Sequence, residues 1–110
     1  MNITPFLQAL EIRLNDYKNR MGYTYFDSCS VFASEGPKYF KVFKFENRAG
    51  APMEDGKKKG MIVCFIDKVT GDIYKPATFK APAKHARGNV LSAQNGMEGF
   101  TAEGYVNYLR

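Results

Sequence analysis

TPFLQALEIRLNDYKNRMGYTYFDSCSVFAS, residues 4–34, changes its hydrophobic period at Gly22, and that change decides the fold. Before Gly22, Leu7, Leu10, Leu14, Tyr17 and Met21 recur at alternating spacings of three and four, while Glu11, Arg13, Asp16, Lys18 and Asn19 fill the other faces. That is an amphipathic helix, because side chains three and four apart share one helical face. Thr4 reads as its N-cap, Pro5 as its first helical residue and Gly22 as its stop. The stripe spans too few heptads for a coiled coil, so it is expected to pack on a sheet rather than form a helical dimer seam. After Gly22 the chain turns aromatic and β-branched, which favours extended backbone.

Working outward, EGP at 35–37 separates this first strand from KYFKVFKFE at 38–46. Alternation puts Tyr39, Lys41, Phe43 and Phe45 on one side and Lys38, Phe40, Val42, Lys44 and Glu46 on the other. Neither side is purely apolar, which suits a sheet with a helix on one face and aromatics interleaved with lysines on the other. NRAGAPMEDGKKKG, residues 47–60, reads as a connection rich in glycine, proline and lysine. MIVCFID at 61–67 is a near-continuous apolar run, hence a central strand. DKVTGD links it to IYKPATF at 73–79, with Gly71 supplying the positive φ of a tight loop. Pro76 makes that strand an edge or ends it early. Pro82 is expected to open a short helix over AKHARGNVL. The tail GFTAEGYVNYLR is too apolar to hang free and is expected to dock as a strand or a helical turn. The fold class is therefore α+β: an N-terminal amphipathic helix packed on a small antiparallel sheet of four to five strands. With 110 residues, 45% hydrophobic content, seven tyrosines and nine phenylalanines, the chain suffices for a single domain with a real core.

Charge is concentrated in the middle. Residues 38–87 carry twelve basic and five acidic side chains, against three and four before them and one and two after. Within this segment KPATFKAPAKHARG, residues 75–88, holds Lys75, Lys80, Lys84, His85 and Arg87 and no acid. A pI near 9.2 and a localised basic excess suit an anionic partner.

CFIDKVTGDIYKPATFKAPAKHARGNVL, residues 64–91, resembles a segment of small accessory proteins of tailed bacteriophages. The shared features are Phe65-Ile66-Asp67, the Thr70-Gly71-Asp72 turn, Lys75-Pro76-Ala77, an aromatic at Phe79, Lys80 to Lys84, and Arg87-Gly88-Asn89; Phe79 stands where a tryptophan is often found. The closing YVNYLR is also similar to the aromatic ending of those proteins. The resemblance covers about a quarter of the chain and implies a viral accessory protein in the cytoplasm of the bacterial host, without implying an activity.

Three clusters are candidates for a nucleic-acid interface. Lys80, Lys84, His85 and Arg87, with Asn89 and the amides of a helix start after Pro82, would hold phosphate by charge and hydrogen bonding; the competing reading is a solvated connection. Lys57, Lys58 and Lys59 are read as an auxiliary electrostatic clamp. Tyr39 and Phe43, between lysines on a strand, are stacking platforms for bases or else core residues.

Catalysis has less to stand on. His85 is the sole histidine and has no nucleophile in a recognisable setting, and Asp67 and Asp72 flank a turn whose amides such carboxylates usually bond. The protein is thus expected not to be an enzyme and to need no cofactor. Cys29 and Cys64 lie in strand-like runs and are expected to be buried free thiols, as in a reducing cytoplasm, and no zinc-ligand spacing occurs. The N-terminal segment is broken by charges every few residues and reads as neither leader nor membrane span. The expected function is non-catalytic nucleic-acid binding by a phage accessory protein. The alternative is a protein-interaction module, an inhibitor of a host protein or a virion component, that presents the same basic and aromatic surface to an acidic partner. The sequence leaves oligomeric state open.

Overall fold

The computed structural model describes residues 1–24, 27–47 and 60–106. Helix α1 spans Thr4–Met21, and five strands follow: β1 (Ser28–Glu35), β2 (Tyr39–Asn47), β3 (Met61–Asp67), β4 (Asp72–Pro76) and β5 (Pro82–Asn89). They form one antiparallel meander in the order β1-β2-β3-β4-β5. A 3-10 turn at Met97–Gly99 comes last.

The helix packs as its period dictates, with its contact stripe shifted toward the N-terminus. Ile3, Phe6, Leu10 and Leu14 are buried, Leu7 is half-buried, and Met21 is exposed because it lies at the far end of the helix. Thr4 is the first helical residue instead of the cap. Ile3 takes the cap position without a side-chain cap bond, and Asn2 Oδ1 accepts from the Thr4 N–H at 3.0 Å. Placing Ile3 there buries its side chain beneath the helix, so apolar burial outweighs the capping hydroxyl. Gly22, in a left-handed conformation, ends the helix as expected.

One face of the sheet carries the core. Cys29, Val42, Val63, Cys64, Ile66 and Ile73 meet α1, Met97, Phe100 and Val106, with Val31, Ala33 and Phe40 packed against them. The apolar tail thus docks as expected: the 3-10 turn precedes buried Phe100, which bridges to Val106. Tyr108 and Leu109 lie outside the described residues. A bulge shifts the β2–β3 register between Val42 and Phe43, leaving Val63 as the extra residue, and so lets Val63 and Cys64 both reach the core.

Pro82 opens a strand, not a helix. Its partner across the ladder is Pro76, and Asp72, Ile73 and Tyr74 pair with Asn89, Gly88 and Ala86. A proline fits the first residue of an edge strand because no ladder hydrogen bond is asked of it, and β5 supplies the backbone partner that β4 otherwise lacks. Pro76 ends β4 early, and it is β5 that forms the edge.

The other edge, β1, is covered by helix side chains. Asn15 Oδ1 accepts from the Cys29 N–H at 2.7 Å, Asn15 Nδ2 donates to the Cys29 carbonyl at 3.0 Å, and Glu11 Oε1 accepts from the Val31 N–H at 3.1 Å. Asn15 thereby imitates a neighbouring strand and blunts an edge that would otherwise recruit another chain.

Both cysteines are free and buried, and burial pushes each thiol above its ordinary pKa. Native protein should therefore react slowly with a thiol reagent, and both thiols should become titratable on denaturation. Rapid labelling of both in the native state would contradict this packing.

Candidate nucleic-acid interface

The sheet face opposite α1 is built by strand alternation. From β1 it receives Ser30, Phe32 and Ser34, opposite Phe45, Phe43 and Lys41 of β2. Across β2 and β3, Lys41 stands opposite Phe65 and Tyr39 opposite Asp67, while Tyr74 of β4 pairs with Phe65. Among the described residues, no helix or strand covers this face.

The rings on it form two connected groups. Phe32 stacks on Phe45 at 4.3 Å between centroids and leans on Phe43 at 5.9 Å; Phe43 continues to Phe79 at 5.9 Å. Tyr39 contacts the edges or faces of Phe65 and Tyr74 at 5.9 and 6.0 Å. Lys41 joins the two groups, its Nζ 5.7 Å from the Phe65 ring centre and 5.2 Å from that of Phe79. Lys38 Nζ lies 5.4 Å from the centre of Tyr39. Such cation–ring contacts hold an ammonium group among aromatics, and Lys38 is also close enough to Asp67 to help lower the pKa of that carboxyl.

Phe79 reaches this face because the β4–β5 turn folds over the sheet. Thr78 Oγ1 accepts from the N–H groups of Lys80 and Ala81, each at 3.1 Å, and the Ala77 and Thr78 N–H groups donate to the Ala81 carbonyl. This closed turn carries Phe79 past β3 to Phe43 on β2. Between it and the β1–β2 turn lies a hollow of about 400 Å³ with Pro37, Lys38, Tyr39, Lys41, Phe65 and Lys80 on its walls. Glu35 also borders it. Its carboxylate is bonded by Lys68 Nζ, which lowers the Glu35 pKa and neutralises its charge locally.

Rings on this face differ in access. Phe65 is 1% exposed and forms the floor, Phe32 is 37% exposed and Phe79 is 56% exposed. Tyr39, Phe43 and Tyr74 are half-buried. The face therefore presents aromatic surface to solvent with ammonium groups set into it.

Of the residues singled out from the sequence, Tyr39, Phe43 and Lys80 come together here. Lys84 and His85 are exposed on edge strand β5, and Arg87 is half-buried further along it. Because β5 is a strand, there is no helix N-terminus after Pro82 to aim amides and a dipole at phosphate, so that part of the expected anion site is withdrawn. Lys57, Lys58 and Lys59 lie outside the described residues. Lys44 is directed to the other side of the sheet, its Nζ 4.7 Å from the centre of Tyr105. Lys38, Lys41, Phe65 and Phe79 complete the cluster. The alternation of β2 signals Lys41, whereas nothing local to residues 77–81 signals that Phe79 crosses to β2.

The Asp67 carboxylate accepts from the Val69 and Thr70 N–H groups at 2.8 and 3.0 Å. Those bonds lower its pKa and tie it to the β3–β4 turn, as its sequence position suggested. Among the described residues no cluster of three histidine, cysteine or acidic side chains is placed to hold a metal, and no helix is long and apolar enough to cross a membrane.

No curated protein and no solved structure matches this chain. A family model does match, over residues 5–108, which takes in all of the helix but its first residue, all five strands and the 3-10 turn. The chain belongs to that family, a family of unknown function designated DUF7717.

Proposed function

We propose that this protein binds nucleic acid without catalysis, through the sheet face opposite α1. The observation that carries the reading is the insertion of Lys41 between Phe65 and Phe79, with Lys38 over Tyr39 and Lys80 on the rim of the same hollow. Ammonium groups neutralise phosphates, and rings beside them stack on bases; a polyanion with flat heterocycles matches both features at once. Lys84 and His85 extend the basic surface along β5, and Lys57 to Lys59 and Arg87 are further cationic contributors. The resemblance of residues 64–91 to phage accessory proteins supports placing this activity in the cytoplasm of an infected bacterium.

Fluorescence anisotropy with labelled oligonucleotides over a range of salt concentrations tests the proposal. If three ammonium groups each neutralise a phosphate, log K should fall with log salt at a slope of roughly −2 to −3. Absence of binding at low salt would remove nucleic acid as the partner. The basic face would then belong to an acidic protein, which a pull-down from nuclease-treated host lysate would detect as one retained species.

A further inference from the structure

We infer that the preferred ligand is unpaired nucleic acid, with one nucleotide seated in the hollow between the β1–β2 turn and the β4–β5 turn; this rests on the nucleic-acid reading above.

The geometry separates single strands from duplex in two ways. First, the aromatic surface lies flat along the sheet. Phe32 and Phe43 project from paired strands, and Phe79 is laid against Phe43 by the folded turn. A ring can stack only on an exposed base face, and in a duplex those faces are taken up by neighbouring pairs except at the ends. A protein that reads duplex would instead need an element projecting into a groove, a helix or a two-stranded ribbon. Here the long helix α1 is committed to the core on the opposite face.

Second, the hollow concentrates charge around a small concave space instead of spreading it along a rod. Lys38 and Lys41 approach from β2 and its preceding turn, and Lys80 from the opposite rim. Tyr39 supplies a half-buried ring on the wall and Phe65 a floor. A space of about 400 Å³ falls within the range of small-ligand pockets and suits one base with its phosphate. The Glu35 carboxylate on its border is already bonded to Lys68, so it leaves the lysines to face the ligand. Phe79, the most exposed ring of the face, stands next to Lys41 and is the platform for the adjoining base. The β4–β5 turn is thus a strap whose Phe79 stacks and whose Lys80 pairs with phosphate.

Competition experiments on the full chain distinguish this inference from the reading beneath it. The probe is a labelled oligothymidylate of about sixteen nucleotides, in the range of site sizes for sheet-based single-strand binders. The competitors are unlabelled single strand, a duplex of equal length, and an abasic strand that retains every phosphate. Single strand should compete at least tenfold better than either, since stacking on one ring contributes roughly tenfold in affinity. Phe79→Ala should weaken oligothymidylate binding about tenfold while leaving the abasic strand unchanged, whereas Lys80→Ala should weaken both. Phe79 is exposed, so its removal leaves the core intact, which a thermal melt verifies. Equal competition by duplex and abasic strand would overturn the single-strand inference yet keep nucleic-acid binding. Failure of every nucleic acid to bind would overturn both.

Discussion

Phe6→Ala should lower the stability of the protein by about 3–5 kcal/mol, the range for removing a fully buried phenylalanine. Phe6 has no exposed surface, and its ring lies 5.6 Å from that of Phe100. It therefore joins α1 to the C-terminal segment above the sheet, and alanine would leave a cavity walled by elements that cannot close independently. Small domains have total stabilities of about 5–15 kcal/mol, so this one side chain accounts for a large share. Urea unfolding should show a lower midpoint with an unchanged slope. Met21→Ala serves as the control: Met21 ends the stripe read from the sequence, which did not include Phe6, yet it is exposed, and its loss should shift stability by no more than about 0.5 kcal/mol. Equal costs at the two positions would mean that the helix does not bury Phe6 and expose Met21 as described.

That pair of residues also shows how much of the fold was legible. Periodicity located the helix and its direction of burial, since Leu10 and Leu14 lie at its centre. It placed Met21 in the core because a repeating pattern carries no information about where the underlying sheet ends. The first three strands and the β3–β4 turn were readable from alternation, apolar runs and Gly71, whose φ is 80°. β5 was not. An edge strand needs little apolar alternation, and a proline beginning a strand has the same local appearance as one beginning a helix. What decides between them is the open edge of β4 and the packing of Gly88 beside Ile73, both products of the assembled sheet. Asn15 is a similar case: its amide looks like any polar helix residue until β1 arrives beside it.

The candidate interface was legible in halves. Alternation in 38–46 grouped Tyr39, Lys41 and Phe43 on one side without indicating which side the helix covers, and the structure puts that side away from the helix. The acid-free stretch at 75–88 marked Lys80. What joins the halves is a turn that bends across β3, and its sequence records only that Thr78 can bond the amides of Lys80 and Ala81. Charge density alone therefore gave Lys84, His85 and Arg87 the same standing as Lys80, and the three-dimensional arrangement separates them.

This separation has a measurable consequence. Replacing Lys38, Lys41 and Lys80 together with alanine should weaken single-strand binding by one to two orders of magnitude at moderate salt. It should also flatten the plot of log K against log salt by roughly 2 units, at about 0.7 per single-strand phosphate contact. The fold should persist, because these lysines lie on the sheet face opposite α1 and the core lies on the other. Replacing Lys84 and His85 removes exposed groups from edge strand β5 that do not line the hollow. The loss there should be smaller, since exposed groups outside the hollow act only through screened attraction. Isothermal titration or anisotropy at several salt concentrations reads both quantities. If the Lys84 and His85 variant loses more affinity and more slope than the Lys38, Lys41 and Lys80 variant, the phosphate path runs along β5 and the aromatic face is not the binding surface. If the two variants lose equally, charge acts collectively, and the hollow has no special part in holding the strand.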